Sequence, residues 1–254
     1  MQRYFIADDQ ININEIQIAG EDAKHIAKVM RMQPGDEFIC CNYSGNAFYC
    51  KLKSIDDQSV TAQIIRELEE NHELPIQVTV VQGLPKGDKL DMIVQKGTEL
   101  GAASFVLFQA ERSVAKWVGS SKIARKLERL QKIAKEAAEQ SHRNKVPQVS
   151  EPISLQKLIE MSQSFDYNIV AYEEEAKSGS MAGLHSVFEV MRPGDSLLAV
   201  IGPEGGFSED EVKQLTKAGF TRCALGRRIL RTETAPLYLL SAVSYYFELE
   251  NGVN

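Results

Sequence analysis

The chain has 254 residues, of which 43% are hydrophobic and 25% are charged, and its formal net charge is −6. These values are typical of a globular protein with one large domain or two smaller ones. No long apolar run opens the chain, and no later run approaches a membrane span. A secretory signal and a membrane protein are therefore disfavoured, and we expect a cytoplasmic protein. The four cysteines lack CxxC spacing and the four histidines are scattered, which predicts reduced, buried thiols and no metal site.

Residues 1–72 are predicted to form a small β-rich domain. Arg3–Ala7 is a short apolar stretch, and Gly20–Met32 is a helix candidate that stops before Pro34-Gly35. Strand candidates separated by turns follow, a pattern typical of a meander that curls into a barrel: Glu37–Tyr43, Ala47–Ile55 and Ser59–Leu68. The polar segment Glu69–Glu73, followed by Pro75, predicts the domain boundary.

Residues 73–254 change to strands that alternate with helices. Continuous apolar strands between helices are typical of a parallel sheet covered on both faces, so we predict an α/β fold. The strand candidates are Ile76–Gln82, Ser104–Phe108, Asn168–Tyr172, Ser196–Ile201 and Arg222–Leu225. The helix candidates are Lys89–Leu100, Ser121–Ser141, Glu209–Ala218 and Ala235–Glu250, with a weaker one at Met181–Val190.

The positive charge of the chain is concentrated in a few segments. Between Arg112 and Lys145 ten Lys/Arg stand against three acids, although the whole chain is acidic. Local fields steer a polyanion more than the total charge does, so this run predicts RNA binding. A solvated helix face without a partner explains the long run equally well. The predicted RNA contacts are Arg3, Lys24, Lys28, Arg31, Arg112, Arg129, Arg143 and Arg228, among which Lys24, Lys28 and Arg31 are spaced to share one helical face.

A glycine-containing loop follows the strand candidate Ser196–Ile201. It reads Gly202-Pro203-Glu204-Gly205-Gly206-Phe207 and leads into Ser208-Glu209-Asp210-Glu211, a capping box that begins the next helix. Two adjacent glycines allow positive φ or a close approach to a ligand. Because ligands of open parallel sheets bind beyond the carboxyl ends of the strands, we favour a binding loop over a structural turn.

The usual phosphate-binding motifs are absent from the sequence. Gly202-x-x-Gly205-Gly206 does not follow the GxGxxG pattern, and Gly83–Lys89 lacks the spacing of a P-loop. Asp88 would lie where a phosphate binds, so we interpret it as a helix N-cap. An ATPase or a dinucleotide-dependent enzyme is therefore disfavoured.

A second loop, Leu225–Ala235, joins a strand candidate to the last helix. It places Ile229 and Leu230 among three arginines, which suggests a loop between a ligand pocket and a polyanion. Thr234 is the predicted N-cap of the helix. A third strand end, Ala171-Tyr172-Glu173, is a weaker candidate.

Together these segments resemble a known family. IGPEGGFS and LGRRILRTETA, in this order, are similar to the second and third cofactor motifs of the SPOUT methyltransferases, and most closely to the RsmE family of 16S ribosomal RNA uridine-N3 methyltransferases. The resemblance extends over nearly the whole chain. Further matching segments are Arg3-Tyr4-Phe5, His25–Asp36, Lys86-Gly87-Asp88, Thr98–Gly101, Glu111-Arg112-Ser113 and Glu136–Arg143.

The resemblance implies a PUA-like amino-terminal domain, a trefoil-knotted carboxy-terminal domain and a homodimer that packs partly through the last helix. The apolar face of Ala235–Leu249 is compatible with this packing, and an ordinary core helix explains that face equally well. It further implies methylation of 16S ribosomal RNA, expected in the small ribosomal subunit. S-adenosylmethionine is expected to bind in the knot loops. Its predicted contacts are Tyr172, Glu173, Ile201, Gly202, Pro203, Glu204, Gly205, Gly206, Leu225, Gly226, Ile229 and Leu230.

Two residues are predicted to act on the RNA base. Uridine N3 is a poor nucleophile until its proton leaves, and a nearby arginine would stabilise the negative charge that then develops. Arg231 matches the arginine of the third motif, and Glu233 is the candidate orienter or proton acceptor. A carboxylate that merely favours a helix N-terminus explains Glu233 equally well.

Three other functions are compatible with parts of the sequence. A non-enzymatic ribosome-assembly protein would explain the basic segments but leave both glycine loops without a role. A SPOUT methyltransferase of another RNA atom, such as a ribose 2′-hydroxyl, would share the cofactor site. A small-molecule methyltransferase would not need the extra β-rich domain, and we regard it as the weakest alternative.

Overall fold

A computed structural model describes residues 1–177 and 182–250. The chain forms two compact units, of which the first comprises Met1–Glu73 together with Ala138–Val146. The second comprises Leu74–Ala137 and the chain from Pro147 onward. This division differs from the predicted one, 1–72 and 73–254, because the first unit also includes a short segment far along the chain.

The first unit contains a five-stranded sheet. Its order is β1-β3-β4-β5-β2, with β1 parallel to β3 and the other pairs antiparallel. The predicted strands are confirmed, but β2 was missed although its buried isoleucines alternate with less buried residues. The strands are β1 (Arg3–Ile6), β2 (Glu15–Ala19), β3 (Glu37–Asn42), β4 (Ala47–Ile55) and β5 (Ser59–Leu68).

The helix predicted over Gly20–Met32 is shorter than expected. The α-helix α1 covers only Gly20–Lys24, and a π-helical turn follows at His25–Val29. Arg31 lies beyond both with φ of 53°. The prediction that Lys24, Lys28 and Arg31 share an α-helical face is therefore wrong, because residues four apart align only while the helix keeps 3.6 residues per turn.

Two of the arginines predicted to bind RNA lie inside the first unit. Arg143 is 2% exposed, and its guanidinium pairs with the Glu73 carboxylate, with Nε 3.2 Å from Oε1. Arg3 is 3% exposed and donates from Nη1 to the Arg143 carbonyl at 2.7 Å. Burial disfavours the predicted phosphate contacts of these two, because each already has a carboxylate or carbonyl partner that a phosphate would have to replace.

The second unit is built on a six-stranded sheet of the predicted parallel kind. Its order is β11-β9-β10-β6-β7-β8, and all of its pairs are parallel. The predicted strands are confirmed, whereas β8 was missed because it is a polar edge strand that contains Pro152. The strands are β6 (Gln77–Gly83), β7 (Ser104–Phe108), β8 (Gln148–Ile153), β9 (Tyr167–Ala171), β10 (Ser196–Ile201) and β11 (Thr221–Cys223).

The helices of the chain after α1 largely follow the predicted pattern. Those confirmed are α2 (Lys89–Glu99), α3 (Ser120–Gln140), α6 (Ala182–Val190), α7 (Glu209–Lys217) and α8 (Thr234–Ser244), which continues as a π-helical turn at Tyr245–Glu250. Two were missed, α4 (Leu155–Ser162) and the short α5 (Glu173–Lys177). Met181, predicted to begin α6, lies outside the described residues.

Of the three predicted helix N-caps, only that of α7 forms a side-chain cap bond. Ser208 and Glu211 form the predicted capping box at the start of α7. The N-cap of α8 is Glu233, so the prediction of Thr234 was wrong by one residue. Asp88 occupies the predicted N-cap position of α2 but makes no side-chain cap bond.

The four cysteines are free and buried, as predicted. Within residues 1–177 and 182–250, no helix has the length and apolar character needed to cross a bilayer. The two observed sheets confirm an α/β fold preceded by a β-rich unit, and the trefoil knot stays a prediction.

Candidate active site

The candidate site lies at one edge of the parallel sheet of the second unit. β6, β10, β9 and β11 are consecutive neighbours, and Ile201 of β10 pairs with Gln82 of β6. The carboxyl ends of parallel strands face the same edge, so the loops after these strands come together. Those loops contain both glycine-bearing segments singled out in the sequence.

Glycine is required in the loop after β10 for steric and conformational reasons. Gly206 has φ of +65°, which side chains rarely tolerate. A Cβ added to Gly205 would lie 3.0 Å from both Cβ and the carbonyl oxygen of Arg112. At the end of β6, which is the neighbour of β10 in the sheet, a Cβ on Gly83 would lie 2.6 Å from Pro203 of this loop. The loop main chain is therefore packed closely while little side-chain bulk projects from it.

A chain of hydrogen bonds connects the end of β6 with two of the loops. Thr232 Oγ1 donates to the Gly202 carbonyl at 2.7 Å, and Gln82 Nε2 donates to Thr232 Oγ1 at 2.9 Å. Gln82 is fully buried at the end of an apolar strand. The prediction overlooked this connection, although a lone glutamine in an apolar strand signals a polar partner, since buried amides are nearly always hydrogen-bonded.

Lys89, which was not predicted, connects the same loops electrostatically. Its Nζ lies 2.8 Å from Glu204 Oε1 and 3.1 Å from Glu233 Oε2. Burial alone would raise the pKa of Glu204 and Glu233, but Lys89 and backbone hydrogen bonds outweigh it and hold both pKa values below normal. Both carboxylates are therefore held ionised beside one lysine.

The loop after β11 leaves main-chain N–H and C=O groups available to bind a ligand. Gly226 has φ of +95°. Among the described residues, no hydrogen bond to the main chain of residues 225–230 is found. Leu225 and Leu230 are half-buried, whereas the Ile229 side chain is 74% exposed. Free N–H and C=O groups beside apolar side chains can hold a planar heterocycle by its edge and its faces.

Comparison with known proteins agrees with this geometry. Residues 72–244 match the family model of the RNA methyltransferase domain, and residues 18–65 match that of the RNA methyltransferase PUA domain. The ribosomal RNA small subunit methyltransferase E of Bacillus subtilis is 51% identical over 99% of both chains. The chain belongs to the ribosomal RNA small subunit methyltransferase E family.

Solved structures extend this assignment. A family member from Neisseria gonorrhoeae, crystallised with S-adenosylmethionine, is 28% identical, covers 97% of this chain and 98% of its own, and has a TM-score of 0.84. A Legionella pneumophila methyltransferase, also crystallised with this cofactor, is 27% identical over 95% and 96%, with a TM-score of 0.82. The predicted family and its PUA-like and parallel-sheet domains are thereby confirmed.

In the present chain, the residues at this edge of the parallel sheet fit the predicted cofactor. S-adenosylmethionine offers an adenine, a ribose and a charged methionine tail, which suit closely packed glycines and free main-chain groups. Pro203 and Ile201 are buried and shape the loop, and Tyr172 is half-buried, with its N–H bonded to the Cys223 carbonyl at 3.0 Å. Glu173 is exposed at the start of α5. A contact of Ile229 with the cofactor would use its main chain, since its side chain points to solvent.

The remaining predicted RNA contacts are exposed. In the second unit Arg112 Nη1 lies 3.5 Å from the Gly205 carbonyl, and Arg129 pairs with Asp91 at 2.7 Å. Arg228 lies exposed on the loop before α8, and so does Arg231, which was predicted to act in catalysis and not as an RNA contact. Lys24, Lys28 and Arg31 are exposed on the first unit, so all six side chains stay candidates for phosphate contacts.

Proposed function

We propose that this chain transfers a methyl group from S-adenosylmethionine to N3 of a uridine in 16S ribosomal RNA. The observation that carries the proposal is the meeting of two glycine-bearing loops at one sheet edge, beside the exposed Arg231. The relative from Bacillus subtilis, which bears the name of a small-subunit ribosomal RNA methyltransferase, supports the choice of RNA.

The chemistry assigns different tasks to the protein and to the cofactor. S-adenosylmethionine, when bound, supplies an electrophilic methyl group on its sulfonium. The protein must hold the uridine in line with that group, so that N3 would bond to the methyl carbon as the carbon–sulfur bond breaks, and the N3 proton would leave to solvent. Arg231 would stabilise the anion that spreads over N3, O2 and O4, because a positioned cation acts where charge develops in the transition state.

Glu233 is better suited to orient groups than to accept the proton. It forms the N-cap of α8 and pairs with Lys89. Its lowered pKa makes it a weak base near neutral pH, where a general base works best with a pKa close to the ambient pH. We therefore assign Glu233 to holding Lys89 in place beside Glu204.

The proposal includes the partners expected from the family. The substrate is the RNA of the small ribosomal subunit, encountered in the cytoplasm. A homodimer is supported by exposed apolar side chains near the end of the described chain, namely Tyr238 on α8 and Tyr245 and Leu249 on the π-helical turn after it, which are 40%, 58% and 76% exposed. Light scattering of the purified chain at several concentrations tests the dimer.

The function is tested by nucleoside analysis. Small-subunit RNA from a strain that lacks its own enzyme is incubated with the chain and methyl-labelled S-adenosylmethionine. We expect label in 3-methyluridine at one position. Label in a 2′-O-methylated nucleoside would favour the alternative RNA methyltransferase, and cofactor binding without any label in RNA would contradict the proposed substrate.

A further inference from the structure

The segment from Arg112 to Leu127 has an unusual composition. It contains five Lys/Arg and no acidic residue, in a chain whose net charge is −6. It also contains the only tryptophan of the chain, Trp117. The loop part, residues 112–119, connects β7 to α3, and the rest forms the first turns of α3.

The loop part exposes apolar side chains that the core does not use. Val114 is 65% exposed, Val118 is 75% exposed, and Trp117 between them is only half-buried. Lys126 places its Nζ 4.5 Å from the centroid of the Trp117 ring, a cation–π contact that links the loop to α3. An exposed apolar cluster with a fixed indole is typical of a contact surface.

The helical part adds a row of positive charge beside this cluster. Lys122, Arg125 and Lys126 are spaced by three and four residues and are exposed. Further along α3, Leu130 and Ala134 belong to its buried face. A merely solvated helix face accounts for the charges, but it leaves the exposed valines and the indole unexplained.

This segment begins at the candidate active site. The Arg112 Cβ lies 3.0 Å from the position of a Cβ on Gly205, and its guanidinium approaches the Gly205 carbonyl at 3.5 Å. Gly205 belongs to the proposed cofactor loop. An RNA whose reacting base lies at that loop can therefore reach this segment through its neighbouring nucleotides.

We propose that Val114, Lys116, Trp117, Val118, Lys122, Arg125 and Lys126, here called the Trp117 surface, dock a single-stranded stretch of RNA next to the target nucleotide. The lysines and Arg125 contact phosphates, and a base packs on the indole and the neighbouring valines. Base stacking on an aromatic ring is tolerant of sequence, so this surface supplies affinity rather than base choice. The inference rests on the proposed function and specifies how that site holds its substrate.

The single tryptophan makes the first experiment direct. The full chain is titrated with a single-stranded RNA oligonucleotide at low salt while tryptophan fluorescence is recorded. We expect saturable quenching with a midpoint that matches the Kd from filter binding. Filter binding without any change in fluorescence would overturn the inference, because the RNA would then bind away from Trp117.

Matched variants test the two kinds of contact. Lys122→Gln/Lys126→Gln should reduce the slope of log affinity against log salt by about 1.4, since each contact to single-stranded RNA contributes about 0.7. Lys213→Gln/Lys217→Gln removes two exposed lysines with the same spacing on α7 and should leave the slope unchanged. Equal slopes in the two double variants would overturn the inference.

The aromatic contact has its own conservative control. Trp117→Leu should weaken binding of the oligonucleotide by at least about fivefold, the lower end of what loss of one stacked base costs. Trp117→Phe should recover most of that affinity. Equal affinities of Trp117→Leu and wild type would exclude stacking on this ring.

The same variants separate this inference from the proposed function. We expect a raised KM for RNA, an unchanged kcat and an unchanged affinity for S-adenosylmethionine. Methyl transfer with an unaltered KM in Lys122→Gln/Lys126→Gln would leave the function standing and refute the surface. Variants that bind naked RNA normally but fail on assembled subunits would indicate a protein partner and also refute it.

Discussion

Two pairs of arginines in this protein have opposite surroundings. Arg3 and Arg143 are almost completely buried in the first unit, where Arg143 pairs with the Glu73 carboxylate and Arg3 donates to the Arg143 carbonyl. Arg228 and Arg231 lie exposed on the loop before α8, and no salt bridge to either is found among the described residues. The two pairs share chemistry but differ in what their charge can reach.

The difference separates structural cations from functional ones. A buried guanidinium stabilises the fold only as long as its carboxylate partner is present. An exposed guanidinium beside a ligand loop costs little to the fold and is available to phosphate or to a developing anion. Variants of the first pair should therefore change stability, and variants of the second should change activity.

The largest effect is expected for Arg143→Ala. This change leaves the Glu73 carboxylate, which is 16% exposed, without its guanidinium partner. Removing one member of a buried pair costs about 3–5 kcal/mol, so the free energy of unfolding should fall by about that amount in urea titrations. Arg228→Ala is the control and should stay within about 0.5 kcal/mol of wild type. A loss below about 1 kcal/mol in Arg143→Ala would mean that the pair is not structural.

Arg231→Ala tests the exposed pair of arginines, which should affect activity and not stability. Removing one group that stabilises a developing charge typically lowers turnover by about 10²–10³-fold. Stability and the Kd for S-adenosylmethionine should stay close to wild type, because Arg231 is exposed. Methyl transfer assays and calorimetry measure the two quantities. Unchanged turnover would remove the role assigned to this arginine.

The contrast between the arginine pairs also shows what the sequence can predict. Continuous apolar runs predicted the strands of the parallel sheet, and glycine spacing predicted both loops at its edge. The sequence did not distinguish Arg143 from Arg112, since both belong to one basic run. Burial of Arg143 depends on Glu73, which lies 70 residues earlier in the chain, and such a pairing has no local signal.

Other residues were missed for the same reason. Lys89 contacts Glu204 and Glu233, which lie more than 100 residues later and become neighbours only when the sheet forms. The π-helical turn after Lys24 was missed because its sequence favours a continuous helix. Local patterns predict elements and loops, whereas the charges that act together are decided by the topology.

Gly206→Val should have a smaller effect that is confined to the cofactor loop. A side chain at φ of +65° costs about 1–2 kcal/mol, which corresponds to roughly a tenfold weaker affinity if the loop must shift to bind S-adenosylmethionine. Gly219→Val is the matched control, because Gly219 has φ of +96° and equally open space at the end of α7. Both variants should lose similar stability. Equal cofactor affinities by calorimetry would place the cofactor elsewhere.

The smallest effect is expected for Lys89→Met, and it should depend on pH. Lys89 helps to hold the pKa values of Glu204 and Glu233 below the ordinary 4.5, so the stabilisation is present above pH 4.5 and is lost as the pH falls through the folded-state pKa values. The difference in Tm between wild type and Lys89→Met should therefore be largest near neutral pH and should vanish in acid. Lys96→Met removes a lysine–glutamate pair within one turn of the same helix and should show a weaker dependence. A Tm difference for Lys89→Met that persists below the folded-state pKa values would show that the lysine acts through packing. The ionic connection of α2 with Glu204 and Glu233 would then have to be abandoned.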